Sequence, residues 1–114
     1  MLPKQNRLKK KTDFNRVFEK GKGVKVDSLL LKFVKNGLET SRFGFVAGLK
    51  ISKKAVLRNK LKRRLRAAVR KKIPEIRPGF DGVWVALKGL ETKNSKEIEA
   101  AVQEILQKTI LFKK

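Results

Sequence analysis

The sequence predicts an α+β domain: a single-layer mixed sheet of about four strands with helices packed on it. Three observations predict it. Apolar residues recur at helical spacing in three separate segments. Short apolar runs bounded by Gly, Asn or Pro lie between those segments and read as strands. The chain has 114 residues, 40% of them hydrophobic, which suits one domain with a real core.

Taken in order, residues 1–11 are basic and without periodicity, and read as a mobile arm. Thr12 is placed to cap a short helix, with Asp13 in its first turn favouring the helix dipole. Phe14, Val17 and Phe18 then fall on one face, and Gly21 and Gly23 end the helix. Residues 24–34 read as one strand ending at the turn signal Asn36-Gly37. A second strand covers 42–47. Residues 49–51 form either a third short strand or the end of the second, bent at Gly48.

Ser52 is placed to cap a long basic helix running to about Ile73, closed by Pro74 and Pro78-Gly79. Leu57, Leu61, Leu65 and Val69 form its apolar stripe. The run GVWVAL, residues 82–87, reads as a buried strand. Asn94 with Glu97 resembles a capping box. Ile98, Ala101, Val102, Ile105, Leu106, Thr109 and Ile110 then give the most regular helical face in the chain. The order is helix, two or three strands, helix, strand, helix. The strand–helix–strand unit around the basic helix suggests one parallel pairing.

Charge points to function. The formal net charge is +21 and the pI about 10.9. Residues 1–72 carry 24 basic and 4 acidic side chains, whereas 73–114 carry 7 and 6. The first two-thirds is therefore the binding part. Between Lys50 and Pro74 nothing acidic occurs. Like-charge pairs four residues apart (Arg58/Lys62, Lys62/Arg66, Arg66/Arg70) each cost a helix roughly 0.2–0.5 kcal/mol. A solvated structural helix mixes its signs; this one reads as a phosphate-binding surface. No helix-turn-helix context accompanies it, and a sheet-backed cationic helix suits RNA as well as DNA.

Cysteine and histidine are both absent. That excludes disulfides, thiolate nucleophiles, imidazole bases and Cys/His zinc sites. No carboxylate pair near the basic helix suits a two-metal protein nuclease. No apolar run approaches a membrane span, and no apolar h-region follows the charged N-terminus, so a cytoplasmic protein without a membrane partner is expected. Phe14 and Phe18 sit one turn apart. They read either as core or as one wall of a groove for unstacked bases, with Arg16 and the 9–11 lysines as nearby phosphate contacts. Phe33, Phe43, Phe45 and Trp84 read as core.

Several of these segments together are similar to a known family. Ser52-Lys53-Lys54, Ala55-Val56, Arg58-Asn59-Lys60-Leu61-Lys62-Arg63 and Arg66 resemble the signature helix of the bacterial ribonuclease P protein subunit. Asn6-Arg7-Leu8-Lys9, Asp13-Phe14, Val17-Phe18 and Gly21 look like that family's first helix. Arg42-Phe43-Gly44-Phe45-Val46 and Leu111-Phe112-Lys113-Lys114 are similar too, in the same order. The chain departs from the pattern in three places. Lys60 replaces the usual second Arg. The short Gly-containing insert before Ala55-Val56 is missing. Lys32 stands where the first strand often carries an aromatic.

The resemblance implies the order α-β-β-β-α-β-α with a left-handed crossover between the parallel strands. It implies a protein subunit that joins a catalytic RNA and binds the 5′ leader of precursor tRNA. The subunit would assist Mg²⁺-dependent removal of that leader, with Mg²⁺ bound mainly by the RNA and no catalytic residue or metal site of its own. Arg58, Asn59, Lys60, Lys62, Arg63 and Arg66, with Lys53 and Lys54, would contact RNA. Phe14, Phe18, Leu30, Lys32 and Arg16 would line the leader groove. No small-molecule substrate is implied. A small ribosomal protein binding ribosomal RNA is the alternative with the same charge and patterning.

Overall fold

A computed structural model describes residues 2–113. Three α-helices and four strands follow the order α1 (Lys11–Lys20), β1 (Lys22–Val26), β2 (Leu29–Lys35), β3 (Arg42–Ala47), α2 (Ala55–Arg70), β4 (Phe80–Ala86) and α3 (Ser95–Gln107). The sheet order is β1-β2-β4-β3. β1/β2 and β2/β4 are antiparallel; β3/β4 is parallel, connected through α2. The expected fold class and element order hold.

Register sorts the side chains onto two faces, because successive strand residues alternate. Val24, Leu31, Trp84 and Phe45 lie in one row across the four strands. That face meets α2 and α3, and Leu61, Leu65, Ala68, Val69, Ile98, Val102, Ile105 and Leu106 close the main core on it. The adjacent row, Gly23, Lys32, Val83 and Gly44, faces the other way. There α1 lays Val17 and Phe14, with Leu8, against Val34, Val46, Val83 and Val85. Among the described residues one short helix and the Leu8 segment cover this second face, and Leu30 and Lys32 are only partly buried on it.

Four expectations need correction. Residues 24–34 are not one strand but parts of a hairpin, with Asp27 at φ 50° in its turn. Asp tolerates that left-handed conformation, and Asp-Ser between apolar residues is a faint turn signal. Residues 49–51 form a turn, not a strand. The lack of periodicity in residues 1–11 predicts a mobile arm, yet the described part of that stretch is packed. Leu2 and Leu8 are buried, a 3₁₀ turn spans Lys4–Asn6, and Leu8 N donates to Phe43 O at 3.0 Å. Asn6 Nδ2 donates to Ser41 O at 2.7 Å. Finally, neither Thr12 nor Ser52 caps its helix. The N-caps are Lys10 and Lys54, without side-chain capping bonds.

The Asn94–Glu97 capping box is present in both directions. The Asn36-Gly37 turn also holds, with Asn36 Oδ1 accepting from Leu38 N at 2.7 Å and Gly37 at φ 71°. The basic helix buries Leu61, Leu65 and Val69 but leaves Leu57 48% exposed, so the stripe is one residue shorter than its periodicity suggested. Leu65→Ala should therefore cost roughly 2–5 kcal/mol, as core leucines do. Leu57→Ala should cost at most about 1 kcal/mol. Urea denaturation of the two variants measures the contrast.

Candidate nucleic-acid interface

The placement of α1 begins with one carboxylate. Asp81, on β4, is fully buried. Arg42 on β3 binds it bidentately, Nε to Oδ1 at 2.9 Å and Nη2 to Oδ2 at 2.7 Å. Arg16 on α1 donates to Oδ2 at 2.6 Å, and Asn36 Nδ2 to Oδ1 at 2.9 Å. Each oxygen thus accepts two hydrogen bonds, which fills its lone pairs. Asp13 on α1 adds an ion pair to Arg42 at 3.5 Å. Burial pushes the Asp81 pKa up; the hydrogen bonds from Arg42 and Asn36 and the charges of Arg42 and Arg16 outweigh it, and the net shift is downward. The Arg42 pKa is raised, chiefly by its hydrogen bond to Asp81. Arg16 was expected among the groove's phosphate contacts. Through Asp81 it also ties α1 to the sheet.

With α1 fixed, a shallow groove remains between it and the open sheet face. Phe14 faces the sheet closely: a Cβ on Gly44 would lie 2.2 Å from its ring. Only glycine lets the ring settle there. Phe18, one turn on, is 38% exposed and is the more open of the two rings. Lys32 stands 6.0 Å above the centre of the Phe18 ring and donates to Phe18 O at 2.9 Å. Leu30, Val85 and Val46, adjacent in register, continue the floor. Phe14, Phe18, Leu30 and Lys32 therefore do come together.

The basic helix lies on the opposite face of the sheet, and the two sets meet only around the edge strand β3. A cleft of about 260 Å³ there is lined by Arg7, Lys9, Phe14, Gly44, Phe45 and Arg66, among others. Arg66 places its guanidinium 5.9 Å from the centre of the Phe45 ring, within cation–π range. The sequence reading assigned Phe45 to the core. It is only partly buried, and its edge-strand position was not visible without the sheet order. Arg58 Nη1 donates to Ser52 O at 2.7 Å, so Arg58 also holds the loop before the helix. Lys53, Lys54, Asn59, Lys60 and Arg63 are exposed; Lys62 and Arg66 are half-buried. Lys60, Lys62, Arg63 and Arg66 have no ion-pair partner among the described residues.

A family model described as Ribonuclease P matches residues 2–110. The chain belongs to the ribonuclease P protein family. A relative named ribonuclease P protein component, from Syntrophomonas wolfei, is 37% identical over 112 residues, covering 98% of this chain and 93% of its own. Among solved structures, the Staphylococcus aureus RNase P protein has a TM-score of 0.85 at 26% identity, covering 94% of this chain and 97% of its own. The Thermotoga maritima RNase P protein has a TM-score of 0.82 at 32% identity, covering 90% and 96%. The chain is thus a protein component of a ribonucleoprotein endoribonuclease that processes tRNA, with an RNA partner in the complex. The ribosomal alternative falls away. No helix among the described residues is long and apolar enough to cross a membrane.

Asp81→Asn should destabilise this ribonuclease P protein by roughly 1.5–3 kcal/mol, the range for hydrogen bonds to charged groups. Because the Asp81 pKa is lowered on folding, its contribution is present above the unfolded carboxylate value and lost as pH falls through the folded one. Acid titration of the wild type should therefore show this loss only below about pH 4. The Asn variant should lack that component.

Proposed function

We propose that this chain binds the RNA component of ribonuclease P through α2 and its preceding loop, and holds the 5′ leader of precursor tRNA in the groove between α1 and the open sheet face. Support comes from one observation above the others. The groove and the basic helix lie on opposite faces of the sheet, and the β3 edge joins them through Phe14, Gly44, Phe45 and Arg66. A single extended strand of RNA can follow that path while the cations of α2 hold a second, structured RNA. On this reading Phe18 and Leu30 meet leader bases, Lys32 and Lys9 meet leader phosphates, and Lys53, Lys54, Asn59, Lys60, Lys62, Arg63 and Arg66 meet RNA backbone. Arg58 contributes through the loop it anchors, and Arg16 through the placement of α1.

Bond cleavage then belongs to the RNA. Mg²⁺ held there supplies charge neutralisation for phosphodiester hydrolysis. The acids at the groove do not suit the ion: the oxygens of Asp81 are filled by Arg42, Arg16 and Asn36, and Asp13 is paired with Arg42. What the chain contributes is position and screening of phosphate repulsion, so stimulation should be largest where Mg²⁺ is scarce. The site of action is cytoplasmic on this reading.

Reconstitution tests it. The chain, mixed with a bacterial ribonuclease P RNA and precursor tRNA at low Mg²⁺, should raise the rate of 5′ cleavage over RNA alone; no stimulation would refute the assignment. Replacing Lys62 and Arg66 by Ala should weaken RNA binding, and each lost single-strand phosphate contact should flatten the log affinity–log salt slope by roughly 0.7. An unchanged slope would remove this flank of α2 from the interface.

A further inference from the structure

The exposure of Leu57 has no explanation in the core. In a helix that steps about 100° per residue, Leu57, Lys60 and Arg64 share one flank of the buried ridge, and Lys62 and Arg66 share the other. The second flank faces the β3 edge. The first borders a separate cavity of about 330 Å³, lined by Ile51, Leu57, Leu61, Lys60, Arg64 and Glu91 with Ser52. That is the lower end of the size range of small-molecule sites, roughly 300–1,000 Å³. Its floor is aliphatic. Ile51 and Leu61 are buried, whereas Leu57 is half-exposed. Lys60 and Arg64 stand at the rim without ion-pair partners among the described residues. Glu91 accepts from Gly89 N at 2.7 Å and closes one end.

We infer that this slot is a second RNA-binding site, which takes one unpaired base of the RNA component between Ile51, Leu57 and Leu61 while Lys60 and Arg64 bind the flanking phosphates. Unstacked bases are commonly received between apolar side chains, with cations on the backbone either side. An apolar patch set inside an otherwise cationic helix matches that chemistry. A phosphate-only surface would gain nothing from Leu57, and a protein partner would need an acidic face to approach α2. The slot continues the α2 surface, so one helix would grip the RNA on both flanks. The inference rests on RNA as the partner of α2, but not on the leader groove.

Affinity for the ribonuclease P RNA, measured across a range of salt concentrations, tests it. Leu57→Ser should lower affinity roughly 5–20-fold, the effect of losing one packed apolar contact, with an unchanged salt slope. Leu57→Met, which keeps the apolar volume, should restore most of it. Lys60→Ala should weaken binding and flatten the slope by roughly 0.7. Leu57 is half-exposed, so its variants should remain folded and melt only a few degrees below the wild type, about 4–8 °C per kcal/mol lost. Wild-type affinity in Leu57→Ser, or a loss accompanied by a flattened slope, would overturn the inference. So would a concentration-dependent dimer, seen in sedimentation and lost in Leu57→Ser, because it would assign the slot to a second copy. Failure of wild-type RNA binding would instead refute RNA as the partner of α2. Loss of leader discrimination in Phe18→Ala concerns only the groove.

Discussion

The buried carboxylate of Asp81 is the constraint on which the working geometry depends. It gathers Arg16 from α1, Arg42 from β3 and Asn36 from the turn after β2 onto one group of β4. Burying a charge in this way is costly unless every lone pair is met, and here every one is. What the arrangement secures is position. One short helix on an open sheet face has little apolar area to fix its angle, since α1 buries only Val17 fully. Directional hydrogen bonds to a guanidinium fix the helix where a small hydrophobic contact cannot.

The second physical problem is self-repulsion along α2. Its cations oppose one another at helical spacing, and the helix has no acid in its first turn. The structure offsets this in three ways. Leu61, Leu65, Ala68 and Val69 are buried against the sheet and α3. Arg58 and Arg66 are drawn to the Ser52 carbonyl and the Phe45 ring. At the C-terminal end, where cations also suit the helix dipole, Lys71 pairs with Glu99 and Lys72 with Gln103. The middle of the helix keeps its unpaired charge. An anionic partner relieves that charge and so gains stability for the complex that the free protein lacks.

Much of this was legible in the sequence, for reasons that differ by element. α3 announced itself because its cap and its apolar period agree, and both are local signals. α2 was legible from its stripe and from the absence of acids. The β1–β2 hairpin was not, because Asp27-Ser28 turns the chain without Gly or Pro. The N-terminal residues were not either. Leu2 and Leu8 are separated by polar residues with no period, and they are buried only because β3 offers an edge and α1 a flank. Among the candidate groove residues, Phe14, Phe18, Leu30 and Lys32 share one face of the sheet. The tie from Arg16 to Asp81 was not legible either, because the acid lies 65 positions away in sequence.

Neighbouring residues alone specify a small α+β domain with one strongly cationic helix, no thiol or imidazole chemistry and a polyanion for a partner. Composition, spacing and charge are properties of neighbours along the chain, and they suffice for that. Which cations remain available is set by the three-dimensional arrangement. Arg16 and Arg42 are taken by Asp81, Arg58 is shared with a loop carbonyl, and Lys62 is left without an acid. It also decided that Leu57 stays outside the core and that Phe14 and Arg66 line one cleft around an edge strand. These are distances between groups remote in sequence, set by strand order and helix placement, and no local pattern encodes them.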